Sequence, residues 1–169
     1  RIGYGGASFI KQHSAWGSSA ALLYSDSSKF NILINNSYNT STNQVTCNVR
    51  CKATRLVTGT FKLCVVLLED SIADNQLDYS LNISINPSLI DTNYVFDHVL
   101  RGALNTAWGE QVFSGNILKN DSAVKIYANY QMSSTWRYKH CQIVAFIYDA
   151  DPTSPTYYEI MQAEIQEVW

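Results

Sequence analysis

Apolar and polar residues alternate along most of this chain with the two-residue period of β-strands. The alternation is clearest in residues 30–38, 45–55 and 60–69, and runs of turn-forming residues separate these segments. Further strands are predicted over residues 79–85, 94–104, 123–132, 141–150 and 157–169. The third clear strand is apolar on both faces from Leu63 to Leu68, so we expect it to lie in the middle of a sheet.

One segment near the amino terminus has the pattern of a helix. Residues 14–24 place apolar side chains on one side, and Ser14 suits an N-cap position. Seven to nine strands with short loops and one short N-terminal helix predict an all-β fold. The specific expectation is a two-sheet antiparallel β-sandwich, immunoglobulin-like or jelly-roll-like, over residues 14–169. Residues 1–13 are glycine-rich and are interpreted as a linker from a missing upstream domain.

Composition narrows the classes of partner. Only 15% of the 169 residues are charged and the net charge is −2, so the chain has no basic footprint for nucleic acid. No apolar run reaches the length of about 18 residues that a membrane helix needs. Membrane association is therefore expected only through an anchor outside this chain. Ser, Thr, Asn and Tyr replace charge on the expected surface, which is typical of extracellular β-domains.

The four cysteines leave the disulfide state open. Cys47 and Cys51 share one face of a strand, and four residues of strand rise separate them by roughly 13 Å, too far for a bond between them. Each would need Cys64 or Cys141 as its partner. We favour four buried thiols that pack as small apolar groups, with a cross-strand disulfide as the alternative. Zinc is not expected, because a zinc ribbon uses two short Cys-x-x-Cys knuckles and this sequence contains none.

Uncommon residue types crowd between positions 94 and 110, beyond what a strand requires. The candidate binding residues in this stretch are His98, Arg101, Trp108 and Glu110. Each also has a structural interpretation. His98 is expected to be a histidine at the edge of the core, and Trp108 to pin a loop with a packed indole.

Arg101 is predicted to form an ion pair with Glu69 or Asp70, because a half-buried arginine needs a carboxylate. His98 and Trp108 are expected to pack nearby. The cluster would then brace the long loop over residues 71–93 rather than perform catalysis.

Four carboxylates around one turn are a weak candidate for a calcium site, with a solvated acidic turn as the preferred interpretation. These residues are Glu69, Asp70, Asp74 and Asp78. No cofactor and no catalytic residue are expected, because none of the histidines His13, His98 and His140 lies beside a known nucleophile motif.

Several short motifs occur in a characteristic order. They are Trp16, Phe30-Asn-Ile-Leu-Ile34, Tyr38-Asn39, Val66-Leu-Leu-Glu-Asp70 with Gln76, His98-Val-Leu-Arg101 and Trp108-Gly-Glu110. Over residues 16–169 this order resembles the C-terminal domain of the Bacteroidetes outer-membrane protein family named for its twenty-eight-kilodalton member. That family often carries another histidine shortly before the His-Val-Leu-Arg run, whereas this chain has Phe96 and Asp97.

The resemblance implies a noncatalytic, exported domain at the outer membrane, the cell surface or in the periplasm. It also implies a secreted lipoprotein that is in some cases described as an adhesin. The expected partner is a protein or a surface glycan. Flat aromatic anchors would contact it, and the candidates are Tyr4, Trp136, Tyr138, Tyr157, Tyr158 and Trp169. The alternative is a docking domain of a thioredoxin-like thiol oxidoreductase whose catalytic domain is absent from this chain.

Overall fold

The computed structural model describes residues 13–23, 27–81 and 83–169, and this part of the chain forms ten antiparallel strands with one short helix. The elements are a 3₁₀ turn (His13–Ala15), α1 (Trp16–Leu23), β1 (Phe30–Asn39), β2 (Gln44–Ala53), β3 (Val57–Glu69), β4 (Ile72–Leu77), β5 (Ile90–Phe96), β6 (Val99–Ala103), β7 (Glu110–Ile117), β8 (Ser122–Gln131), a second 3₁₀ turn (Tyr138–His140), β9 (Cys141–Asp149) and β10 (Ile160–Glu167). No described helix is long and apolar enough to cross a membrane.

The strands form two packed sheets and one separate hairpin. A three-stranded sheet has the order β1-β2-β8, and a five-stranded sheet has the order β10-β9-β3 with both β6 and β7 on the far edge of β3. The third unit is the pair β4-β5. The two larger sheets face each other across the core, so the predicted antiparallel β-sandwich is confirmed.

The core follows from the alternation of the sequence. In β2 the odd-numbered residues from Val45 to Ala53 point inward and are fully buried, while the residues between them point outward. Phe30 of β1 closes one end of the core against Phe61 of β3, with ring centroids 4.9 Å apart.

All four cysteines are free and buried, as the favoured interpretation expected. Burial raises the pKa of Cys47 to about 11, of Cys51 to about 12 and of Cys141 to about 11, and it also raises the pKa of Cys64. Because a thiolate is the reactive form, these thiols are inert near neutral pH.

Strand β3 is central, as its two apolar faces predicted. One edge pairs with β9 from Phe61 to Glu69. The other edge is shared, since β7 pairs with the first half of β3 and β6 pairs with the second half. This division of one edge between two short strands determines where the candidate binding residues lie.

Several element predictions are wrong. Residues 79–81 and 83–85 form turns and a bend rather than a strand, and the strand predicted over residues 94–104 is broken at positions 97 and 98. Strands β4 and β7 were not predicted at all. The helix prediction is confirmed by α1, whereas residues 1–12 of the predicted linker lie outside the described part of the chain.

The hairpin of β4 and β5, residues 72–96, is called the arm below. Its two strands pair antiparallel from Ile72 with Phe96 to Leu77 with Ile90. Their extensive contacts are with each other rather than with the sandwich. The region predicted as a long loop is therefore a hairpin that projects from the end of β3.

Candidate functional site

The end of β3 carries a buried carboxylate between two arginines. The Glu69 side chain is 2% exposed, and the Nε of Arg101 donates to its Oε2 over 2.8 Å. Arg137 donates to Oε1 from its Nε over 3.2 Å and from its backbone N–H over 3.1 Å. The predicted pair of Arg101 and Glu69 is confirmed, and Arg137 is a second partner that the sequence did not indicate. These three residues are called the clasp.

Opposing effects act on the ionisation of Glu69. Burial tends to raise its pKa, but hydrogen bonds from the Arg137 backbone and from both guanidinium groups outweigh burial and lower the pKa below its ordinary value. Glu69 is therefore ionised at neutral pH. Removing the partners of a buried carboxylate strongly lowers the free energy of unfolding.

The clasp residue Arg137 holds the start of the arm, and Asp70 and Asp97 tie the start of the arm to its end. The Nη2 of Arg137 donates to the backbone oxygens of Asp70 and Ser71 over 2.9 and 2.7 Å. At the other end, the backbone N–H of His98 donates to Oδ1 of Asp70 over 2.6 Å, and that of Ser71 donates to Oδ1 of Asp97 over 2.8 Å. These contacts come from Arg137, Asp70 and Asp97, so the bracing role predicted for the Arg101 pair stays a prediction.

His98 is not a core-edge histidine, so that interpretation is wrong. Its side chain is 63% exposed, and its φ of 56° lies in the left-handed region. The carboxylate of Asp70 binds the backbone of His98 and turns the chain there, so His98 separates β5 from β6 instead of lying on a strand face.

Glu110 connects the two sheets. It starts β7 in the five-stranded sheet, and it accepts hydrogen bonds of 2.6 Å each from Nζ of Lys125 and the hydroxyl of Tyr127, both in β8 of the other sheet. Burial opposes ionisation, but these donors lower the pKa of Glu110, while burial and the neighbouring carboxylate raise the pKa of Tyr127. The Glu110 side chain thus has a structural role.

Asn105 fills the gap where β3 changes partner from β7 to β6. Its Nδ2 donates to the backbone oxygen of Leu63 over 2.8 Å, and its Oδ1 accepts from the backbone N–H of Val65 over 3.2 Å. The side chain thereby continues the strand ladder across the junction. Asn105 is a residue whose role the sequence did not reveal.

Trp108 does not pack into the protein as predicted, since it is 69% exposed. Its backbone is nevertheless fixed, because the Tyr148 hydroxyl donates to its carbonyl oxygen over 2.7 Å. The next residue, Gly109, has a φ of +68°, and a Cβ there would lie 2.4 Å from the backbone oxygen of Leu63. The loop therefore lies directly on β3 and presents the indole outward.

The exposed indole borders a small open pocket on the outer face of the five-stranded sheet. The pocket has a volume of about 190 Å³ and is lined by Cys64, Ala107, Trp108, Phe146, Tyr148, Tyr158 and Ile160. The ring centroid of Tyr158 lies 6.4 Å from that of Trp108 and 6.0 Å from that of Tyr148. We call this group the aromatic pocket.

The far rim of the aromatic pocket is also built on a fixed loop. Asp149, which is buried, accepts hydrogen bonds from the hydroxyls of Ser154 and Thr156 and from the backbone N–H of Asp151. These bonds shape the loop between β9 and β10, which carries Tyr158 with a φ of 66°. Both rims are therefore positioned before a ligand arrives.

One comparison identifies the family. The family model described as outer membrane protein Omp28 matches residues 7–167, nearly the whole chain. The chain belongs to the Omp28 family. No curated protein matches it. Membership confirms the resemblance to the outer-membrane family, and the family name points to the outer membrane, in agreement with an exported protein.

The candidate residues of this Omp28-family chain do not form one site. Arg101 and His98 lie where the arm leaves and rejoins the sandwich, which we call the arm root. Glu110 lies between the sheets, and Trp108 borders the aromatic pocket near Leu63, in the middle of β3. Six residues of strand rise separate Leu63 from Glu69 by about 20 Å. The structure thus divides a compact sequence motif into three structural residues and one exposed aromatic side chain.

The aromatic anchors predicted for this Omp28-family chain differ in their exposure. Tyr158 and Trp169 are exposed, and the ring of Tyr157 lies tilted at 31° against that of Tyr158, with ring centroids 3.8 Å apart. Trp136 and Tyr138 instead pack against the core, so their prediction as exposed anchors is wrong. Tyr4 lies outside the described residues.

The acidic residues predicted as a weak calcium candidate have separate protein partners. Asp74 and Asp78 accept backbone hydrogen bonds from Asn75 and Ser80 in the arm, while Glu69 and Asp70 belong to the arm root. Among the described residues, no three His, Cys, Asp or Glu side chains are grouped to hold a metal ion.

Proposed function

We propose that this chain is a noncatalytic, exported binding domain of the outer membrane, and that its aromatic pocket binds one sugar ring of a surface glycan. The domain then acts in an adhesin-like way at the cell surface. The alternative, docking to a thioredoxin-like oxidoreductase, stays a prediction. A Cys-x-x-Cys motif in the upstream coding sequence would favour it.

The exposed indole of Trp108 on a fixed backbone carries the proposal. The hydrogen bonds of Asn105 and Tyr148, together with the contact of Gly109 with β3, hold the loop at points other than the indole. The indole is tilted against Tyr158 and is 69% exposed, so it can meet a ligand. A rigid aromatic side chain loses little conformational entropy when it binds, which makes it an efficient anchor.

The size and chemistry of the aromatic pocket favour a single neutral ring. Its volume of about 190 Å³ is below the roughly 300–1,000 Å³ of drug-sized sites. Trp108 and Tyr158 present tilted faces at 38° to each other. The negative face of an aromatic ring attracts positively polarised C–H groups, and a sugar ring carries such groups on one face.

Ligand titration followed by nuclear magnetic resonance tests this proposal. We expect glucose, galactose, mannose or N-acetylglucosamine to shift the indole N–H signal of Trp108, with a Kd in the range of about 1 mM, which corresponds to about −4 kcal/mol. Trp108→Ala, followed at the backbone amides of Gly109 and Tyr158, should weaken binding at least tenfold, because it removes one wall of the pocket.

Trp169→Ala is the matched control, since Trp169 is 70% exposed but is not part of the pocket lining. This variant should bind as the parent does. If none of the four sugars shifts the Trp108 signal, or if both variants lose binding equally, the pocket is not a sugar site.

A further inference from the structure

We propose that the arm of one copy docks on the outer face of the three-stranded sheet of a second copy, so that copies associate head to tail. The two surfaces lie on different parts of the same chain and complement each other in apolarity and charge. This assembly is independent of the aromatic pocket and of its proposed ligand.

The tip of the arm presents apolar side chains to solvent. Its exposed large residues are Leu77, Tyr79, Ile83, Ile85 and Ile90. Ile83 is 63% exposed and Ile85 is 82% exposed, on a hairpin whose extensive contacts are internal. Contiguous exposed apolar side chains mark interaction sites more often than ordinary surface.

The charge of the arm is of one sign. Residues 72–96 contain the three aspartates Asp74, Asp78 and Asp91, and they contain neither Lys nor Arg. An acidic, apolar tip is repelled by anionic lipid and by acidic proteins. The surface that receives it should therefore be apolar and basic.

The outer face of the three-stranded sheet has this character. Leu33, Arg50 and Val124 form one row across the three strands, and Leu33 and Val124 are each more than half exposed. Ile126, 65% exposed, lies two residues along β8 from Val124. Strands β1, β2 and β8 contain no Asp or Glu.

A shallow cavity of about 160 Å³ lies on this face. Its lining residues are Asn31, Ile32, Leu33, Arg50 and Lys52. Arg50 and Lys52 would meet the aspartates of the arm, while Leu33 and Val124 would meet its isoleucines. Contact between two different surfaces of one chain is a heterologous interface, which produces rings or open chains of copies.

Sedimentation velocity over a range of protein concentrations tests the association. We expect the mass to rise above that of a monomer with concentration, and to fall as NaCl is raised from 0.05 to 0.5 M, since salt screens exposed charges. The arm variant, Ile83→Asp with Ile85→Asp, should weaken association at least tenfold. The sheet variant, Leu33→Asp with Arg50→Glu, should do the same.

Mixing the two variants gives the sharper test. Each variant retains one intact surface, so neither forms chains alone, but an equimolar mixture should form a heterodimer that stops at two copies. The matched control is Ile165→Asp, which alters an exposed isoleucine on the other sheet and should leave association unchanged. Circular dichroism checks that each variant is folded.

Three results would overturn the proposal. They are a parent chain that stays monomeric at every concentration, folded variants that associate as the parent does, and a mixture that fails to form a heterodimer. If the parent sediments with phosphatidylcholine vesicles and only the arm variant does not, the arm is a lipid contact instead.

Discussion

At the scale of single residues, Glu69 is the carboxylate on which the root of the arm depends. Its two oxygens are divided between Arg101 and Arg137, and it lies almost fully out of solvent. Hydrogen bonds to a charged group stabilise more than neutral ones, at about 1.5–3 kcal/mol each. Arg137 still binds Glu69 when Arg101 is removed, so the loss of Arg101 alone lowers the free energy of unfolding less than the loss of both.

Arg101→Ala should lower the free energy of unfolding by about 1.5–3 kcal/mol, because Arg137 still satisfies Glu69. Replacing both arginines leaves the buried carboxylate alone and should cost about 3–5 kcal/mol. Urea denaturation at pH 7 measures both values. Lys119→Ala, at an exposed position in the turn between β7 and β8, is the control and should change stability by less than about 0.5 kcal/mol. A double variant as stable as Lys119→Ala would contradict the bracing role.

The effect of Arg101→Ala should also depend on pH. The folded-state pKa of Glu69 lies below its ordinary value of 4.5, so the stabilisation by its ionised form is complete above pH 4.5 and is lost as pH falls through the lowered pKa. The difference between parent and variant should therefore be full at pH 7 and shrink in the acid range below 4.5. A difference that does not shrink anywhere in the acid range would assign the effect to packing rather than to charge.

Residue chemistry predicted part of this site. A half-buried arginine near a strand end needs a carboxylate, and this requirement predicted Glu69 or Asp70 as the partner of Arg101. Arg137 had no such signal, because it lies 68 residues from Glu69 in sequence and meets it only in the folded chain. Exposure of Trp108 was also hidden, since it results from the contact of Gly109 with β3.

At the scale of elements, β3 depends on a side chain to complete its edge. Asn105 satisfies Leu63 and Val65 between the end of β7 pairing and the start of β6 pairing. Asn105→Ala leaves a backbone donor and acceptor unpaired in the sheet, so we expect a loss of about 1–3 kcal/mol. Hydrogen exchange at the Val65 amide should accelerate more than exchange at Val49 in the other sheet. Equal exchange at both amides would contradict this role.

The sequence predicted most clearly the strands β1, β2 and β3, which supply inward residues to the core. β1 and β2 alternate, and β3 is apolar on both faces because it lies in the middle of its sheet. β4 and β5 belong to a hairpin without a buried face, so no alternation distinguishes them from a loop. The break at His98 depends on the carboxylate of Asp70, which lies at the end of β3. The sequence around His98 does not show this contact, so it predicted β5 and β6 as one strand.

At the scale of the whole molecule, the extensive contacts of the strands of the arm are with each other, and hydrogen bonds tie the described part of the arm to the sandwich where it begins and ends. The core residues all belong to the sandwich. Replacing residues 72–96 with a Gly-Ser-Gly linker should therefore change the free energy of unfolding by less than about 1 kcal/mol, since closing a short loop costs little. A thermal melt that stays cooperative is expected. Loss of the cooperative transition would mean that the arm contributes to the core.

The two ends of the arm meet at the hydrogen bond between Ser71 and Asp97, 2.8 Å long. A point where the chain leaves a fold and returns to the same place accepts insertions of other lengths without displacing what lies around it. The sandwich therefore places little constraint on the length of the segment between those ends. In protein engineering, the same point is a natural place to display a foreign peptide.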